Sequence, residues 1–271
     1  MSSISSITII GCGWFGLPLA TKLVSLGLNV KATKRKLDDL VLLREAGIEA
    51  FPLDLEHIDD TIDYLSLFDS DAIVINLPPG LRRGESHHID HLTSLRKLMG
   101  THDYKRVIFI STTGVYPSLD RPVTEQDAQA VDNISATLLQ AEGLFAQLPN
   151  SCIVRFSGLV GPKRHPGRFF AGKTDVSGAN VAVNLVHLDD CIRAVCLLLT
   201  RPHCQPIYNL AAKEHPTRGE FYVAAAEHLG LTAPVFNQQG QPSKIIDGQL
   251  ICADVGFRYL YSDPLKMLNA C

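Results

Sequence analysis

The chain has 271 residues, 46% of them apolar and 20% charged, with a formal net charge of −3. That composition is ordinary for a globular protein with a sizeable core, and the length allows one large α/β domain or a major domain with a small one. The slight negative charge, with no basic block beyond a few residues, argues against a nucleic-acid partner.

In chain order, the first predicted element is a buried strand at 7–10. The apolar run 7–20 lacks the positive flank of a secretion signal and is interrupted by Gly11 and Gly13, so it reads as strand and turn. Further strands are predicted at 28–33, 48–52, 72–77, 106–111 and 152–156, and helices at 15–26, 38–46, 90–99 and 134–148. Four strands contain continuous apolar runs (Ile-Thr-Ile-Ile, Ala-Ile-Val-Ile, Val-Ile-Phe-Ile and Ile-Val), as expected where helices cover both faces. The alternation implies a parallel sheet with right-handed crossovers. After about residue 157 the pattern changes. Residues 158–178 are rich in Gly, Pro, Arg and Lys around Phe169-Phe170. A strand at 181–186, a helix from Asp189 with Asp190 as its cap, a strand at 207–210 and a helix at 218–229 follow. The expected fold is α/β: a Rossmann doubly wound parallel sheet in 1–160, revisited at about 181–212, with a smaller substrate-side lobe in 161–271. No stretch holds about 18 uninterrupted apolar residues, so no membrane span is expected. Seven scattered cysteines form no C-x-x-C pair, which argues against a disulfide framework or structural zinc and fits a reducing, cytoplasmic setting.

Gly11-Cys12-Gly13-Trp14-Phe15-Gly16 follows a predicted strand and opens a predicted helix. In that context each glycine has a reason. The first permits the tight turn, the second lets backbone approach a pyrophosphate, and the third lets helix pack on strand. The helix N-terminus then meets the phosphates. About 20 residues on, an NAD-preferring protein carries an acid for the ribose hydroxyls. Here the segment reads Lys31-Ala32-Thr33-Lys34-Arg35-Lys36, four cations and no acid. A 2′-phosphate suits it, so NADP(H) is expected over NAD(H), with a merely solvated strand end as the alternative.

These residues, with Asp54-Leu55, Ser111-Thr112-Thr113-Gly114-Val115-Tyr116, Arg155-Phe156-Ser157-Gly158-Leu159-Val160-Gly161-Pro162 and Val186-His187-Leu188-Asp189-Asp190, carry a resemblance over nearly the whole chain. Tyr208-Asn209-Leu210 and Pro216-Thr217-Arg218-Gly219-Glu220 complete it. The sequence resembles the extended short-chain dehydrogenase/reductase superfamily of sugar-nucleotide epimerases and dehydratases, in an atypical bacterial branch. The resemblance implies that Asp54 accepts a hydrogen bond from the adenine amino group while Leu55 packs on the ring. It implies that Leu77-Pro78-Pro79 pass beneath ribose and pyrophosphate, that Ser111 belongs to the cofactor site, and that Phe156-Ser157 run past the nicotinamide. Thr112 takes the family's catalytic Ser/Thr position.

One departure matters. Family catalysis rests on a Tyr-x-x-x-Lys pair that moves a proton at the substrate hydroxyl. No tyrosine occurs between Tyr116 and Tyr208, and no lysine between Lys105 and Lys163. Ile134 and Leu138 fall at or near the expected positions. Tyr116 is the candidate substitute phenol, against a plain packing role. Arg82, Arg168 and His187 are candidate substrate contacts, against solvated or structural roles. His87 and His91 stand four apart on one predicted helix, but without a neighbouring Glu no metal site is assigned. Two readings remain: an NADP(H)-using epimerase, dehydratase or reductase acting on a small, nucleotide-linked substrate, or a cofactor-sensing or protein-interaction module without turnover. A monomer or a homodimer fits either.

Overall fold

A computed structural model describes residues 4–59, 61–80 and 87–271. The first elements are β1 (Ser6–Ile10), α1 (Gly16–Ser25), β2 (Asn29–Lys34), α2 (Leu40–Glu45), β3 (Glu49–Pro52), α3 (Tyr64–Phe68), β4 (Ala72–Ile75), α4 (His88–Leu98) and β5 (Arg106–Thr112). Next come β6 (Pro122–Val123), α5 (Asn133–Ala146), β7 (Ser151–Phe156), β8 (Gly158–Val160), β9 (Leu185–His187) and α6 (Leu188–Thr200). The last are β10 (Ile207–Leu210), α7 (Arg218–His228), β11 (Ile245–Ile246), α8 (Leu250–Val255) and α9 (Pro264–Met267).

Seven strands form one parallel sheet in the order β10-β7-β5-β4-β1-β2-β3, the expected doubly wound arrangement. β1 pairs with β2 on one side and β4 on the other, with Ile7 opposite Val30 and Ala72. The strand order reverses beside β1, and in open α/β sheets that reversal opens a crevice at the carboxyl ends of the strands. Every residue of β4 is buried, and so is all of β1 but Ser6, which explains why their sequences do not alternate. α1 turns Gly16, Leu19, Ala20 and Leu23 inward at helical spacing. α5 starts at a capping box: the Asp132 carboxylate accepts the Ser135 N–H at 2.7 Å while Asp132 N–H donates to the Ser135 hydroxyl at 3.0 Å.

The chain forms two compact units. One contains Met1–Ser111, Asp132–Val154 and Val195–Ile207. Its core joins Ile10, Ile73 and Ile75 of the sheet to Leu92 and Leu95 of α4, and stacks Phe109 on Phe145 at 4.8 Å between ring centroids. The other contains Thr112–Val131, Arg155–Ala194 and Tyr208–Cys271. It holds the small sheets β6–β11 and β8–β9, and its core gathers Val160, Val183, Leu185, Phe221, Ala225 and Met267.

Two expectations for this second unit need correction. The strand expected at 181–186 is only β9, because the preceding residues bond to scattered partners instead of a ladder: Ala182 N–H to the Ser243 hydroxyl and Val183 N–H to the Pro216 carbonyl. Asp190 does not cap α6. It is fully buried, and its carboxylate accepts the N–H groups of Leu260 and Tyr261 at 2.7 and 2.9 Å while pairing with Arg193. A buried carboxylate needs such partners, and the C-terminal segment supplies them.

Candidate functional site

The turn between β1 and α1 is built around three glycines with different constraints. Gly11 has φ +89°, and a Cβ there would stand 2.2 Å from the Asn76 carbonyl oxygen. A Cβ on Gly16 would stand 2.5 Å from the Gly11 carbonyl oxygen. Both positions are closed to any side chain by backbone packing. Gly13 is the opposite case: nothing lies within 4 Å of where its Cβ would be. Such open space beside backbone is what close approach of a pyrophosphate requires in this fold. α1 has no side-chain cap and no acid in its first turn, so nothing in its sequence opposes an anion there.

Neighbouring elements brace the turn. The Thr33 hydroxyl accepts the Gly11 N–H at 3.0 Å, and the Thr33 carbonyl accepts the Cys12 N–H at 3.1 Å. Thr33 is therefore buried support for the turn and not a hydroxyl on display. Asn76, which sequence reasoning passed over, donates its side-chain amide to the Gly11 carbonyl at 3.0 Å. Its position between the apolar run of β4 and Pro78-Pro79 was the available signal. Phe15 is buried and Trp14 half-buried. Burial pushes the Cys12 thiol up to about 12, with the Lys34 ammonium pulling the other way, so the charge of Lys34 reaches this turn. Lys34 ends β2 and Arg35 follows it, both with no ion-pair partner among the described residues, whereas Lys31 turns away to the carbonyls of Ser66 and Asp69.

The remaining expected cofactor residues of this unit vary. Asp54 closes a local turn, its carboxylate accepting the Glu56 N–H at 3.1 Å. Leu55 and Leu77 pack against the core, Pro79 is half-buried and Pro78 is exposed. Ser111 is buried, and its hydroxyl donates to the Glu142 carboxylate of α5 at 2.6 Å. That bond ties α5 to the end of β5. On the same helix Ile134 is exposed and Leu138 buried, so neither position offers a proton. Arg82 lies outside the described residues.

In the second unit, Thr112 is half-buried and its hydroxyl oxygen accepts the Gly114 N–H at 3.3 Å, which leaves its own O–H available as a donor. Phe156 is buried, and Ser157 carries a buried hydroxyl with no hydrogen-bond partner among the described residues. An orphaned buried hydroxyl is what a ligand-binding strand end would present before the ligand arrives. Tyr116 is enclosed. Its phenol donates to Asn209 Oδ1 at 2.6 Å and accepts from Arg155 at 2.7 Å. Burial raises the phenol above its ordinary value, and Arg155 lowers it only in part. The same network includes Glu125, whose carboxylate accepts the Asn209 N–H at 2.8 Å and whose carbonyl accepts from Arg155 at 2.9 Å. Sequence reasoning gave Arg155, Asn209 and Glu125 no site role. A charged residue inside the strand Cys-Ile-Val-Arg-Phe was the visible clue. His187 is also enclosed: Nε2 meets the Ala270 carbonyl at 3.1 Å, Nδ1 accepts the Asp189 N–H at 3.2 Å, and Tyr261 covers the ring at 4.2 Å between centroids. Both nitrogens serve the chain itself. Arg168 is exposed at the end of a short helical turn, Pro166–Arg168.

No family model matches the chain. It is 41% identical to Protein YeeZ of Escherichia coli K12 over 271 residues, covering 96% of this chain and 98% of that one. Among solved structures it is similar to MoeE5 in complex with UDP-glucose and NAD (TM-score 0.78, 19% identity, 98% and 96% coverage). It is also similar to the human epimerase family protein SDR39U1 with NADPH (TM-score 0.73, 17% identity, 97% of each chain). The fold is the NAD(P)-binding fold of sugar-nucleotide epimerases and dehydratases.

Proposed function

The chain belongs to the family of Protein YeeZ, and within it we propose an NADP(H)-binding protein of the epimerase, dehydratase or reductase type acting on a small nucleotide-linked substrate. The observation that carries this reading is the contrast among the glycines: Gly11 and Gly16 are sterically obligatory, while Gly13 faces open space. NADP(H) is favoured over NAD(H) by Lys34 and Arg35, which have no ion-pair partner among the described residues. When bound, the cofactor supplies a site for hydride exchange. Thr112 retains a hydroxyl donor for the reacting oxygen of a substrate, and Ser157 offers an unpartnered hydroxyl on the strand end assigned to the nicotinamide. The nucleotide-linked substrate class is supported by MoeE5, solved with UDP-glucose, and by the exposed guanidinium of Arg168. A monomeric or homodimeric protein without a Tyr-x-x-x-Lys pair is part of the proposal. Among the described residues no helix is long and apolar enough to cross a membrane.

A second reading, cofactor sensing without turnover, is favoured by one observation. Tyr116 is held shut by Arg155 and Asn209, and burial raises its phenol, so it does not replace the missing acid–base pair. Trp14, the only tryptophan, reports on the glycine turn directly. Titrating NADPH and NADH against its emission, with calorimetry as a check, should give NADPH at least tenfold tighter, about 1.4 kcal/mol. Equal affinities sink the NADP assignment, and no binding of either sinks the cofactor reading. With NADPH bound, Thr112→Ala should abolish hydride exchange with a reactive nucleotide sugar and leave cofactor affinity intact. No exchange in the wild type across a nucleotide-sugar panel supports the sensor.

A further inference from the structure

The histidines at the start of α4 have no Glu in the H-E-x-x-H pattern, but the fold brings carboxylates from another segment. Asp54, Glu56 and His57 follow β3, and their potential ligand atoms all lie within 4.8 Å of one another. His57 Nδ1 is 3.8 Å from Asp54 Oδ2, and Nε2 of His91, from the second turn of α4, is 3.8 Å from Glu56 Oε1. Both separations exceed a hydrogen bond. Lone pairs and carboxylate charge thus converge here without a proton shared at bonding distance. We propose that Asp54, Glu56, His57 and His91 form a binding site for one divalent transition-metal ion that joins the β3 loop to α4.

The chemistry of the set selects the ion. Two imidazole nitrogens and two carboxylate oxygens favour Zn²⁺, Co²⁺ or Ni²⁺ over Mg²⁺ or Ca²⁺, which prefer all-oxygen shells. Two carboxylates also neutralise the charge of a divalent ion. A tetrahedral ion with bonds of about 2.0–2.1 Å needs its donors about 3.3 Å apart. The His57–Asp54 and His91–Glu56 pairs need to close by about half an ångström; the Asp54, Glu56 and His57 donors spread over up to 4.8 Å and His91 reaches them through Glu56, so the remaining pairs must close further by side-chain rotation. The side chains of His57 and Glu56 are well exposed and rotate freely enough to do so. His87, one turn before His91 and also paired loosely with Asp90, adds a further imidazole at the same end of α4. The site shares Asp54 with the adenine contact that the resemblance implies, so the metal titrations are made without dinucleotide.

The test is cobalt and zinc titration of the full chain. We expect one Co²⁺ per chain with a visible spectrum of nitrogen and oxygen ligands, displaced by Zn²⁺. His57→Ala and His91→Ala should each weaken Zn²⁺ at least tenfold, while His203→Ala, in a different part of the first unit, leaves it unchanged. The alanine variants remove exposed or half-exposed side chains, and their unfolding midpoints without metal should match the wild type. A thiolate-to-cobalt charge-transfer band would assign the metal to cysteines and overturn the proposal. So would Zn²⁺ affinity unaltered in the His57→Ala/His91→Ala double variant, or no stoichiometric binding.

Discussion

The glycine turn and the Tyr116 network respond to opposite pressures. In the turn, backbone lies against backbone at Gly11 and Gly16, yet the surface at Gly13 is left open. Around Tyr116, every polar atom of the phenol is matched from within, by Asn209 and Arg155. The first region is tight at Gly11 and Gly16 and open at Gly13. The second is satisfied throughout, as a structural polar network in a low-dielectric interior must be. Spare capacity therefore marks a binding surface better than residue type does. A tyrosine in a family's catalytic neighbourhood is not a proton donor when its hydrogen bonds are already spent.

Substitutions can break or sharpen that contrast. The largest effect is expected at Gly11. Gly11→Ala places a methyl against the Asn76 carbonyl at a positive φ, and should cost about 3 kcal/mol or more of stability along with NADPH binding, read by urea unfolding and Trp14 titration. Gly13→Ala should separate the two properties. Stability stays within about 1 kcal/mol of wild type, while NADPH weakens at least tenfold, because the new methyl stands in the open cradle. A large loss of stability there would mean that the space is not vacant. Tyr116→Phe should cost about 1 kcal/mol, the worth of a buried hydrogen bond, with NADPH affinity unchanged. If it instead eliminates hydride exchange at full stability, the network is catalytic after all. The smallest effect concerns pH. The Cys12 thiol is held near 12 in the folded chain, above the ordinary value of about 8.5. Its contribution is thus full below about pH 8.5 and is lost as pH rises toward 12, since the unfolded chain releases the proton first. Cys12→Ala should flatten the fall in stability between pH 7 and pH 9 by about 0.8 kcal/mol, measured from urea midpoints.

The centre of the sheet was readable because its strands are buried on both faces, and Ala72–Ile75 carries no polar residue to confuse the pattern. Short elements were not. β6 and β11 are two residues each, too brief for any periodicity, and exist only through pairing with one another. Asp190 stood at the right place for a helix cap, but its partners come from Leu260 and Tyr261, about 70 residues away, and no local rule anticipates them. For His187 the sequence left a substrate contact and a structural role open, and the carbonyl that engages it belongs to Ala270, far along the chain.

By itself, the sequence determined the parallel α/β architecture, the glycine turn between β1 and α1, and the lack of a phenol or amine at Ile134 and Leu138. These follow from steric rules and side-chain chemistry that act over a few residues. Only the tertiary structure decided which polar groups stay available. It committed Tyr116 and His187, left Ser157 without a partner, and carried Glu56 to His91. Availability depends on partners distant in the chain, because a buried donor or acceptor is paid for wherever in the fold its match happens to lie.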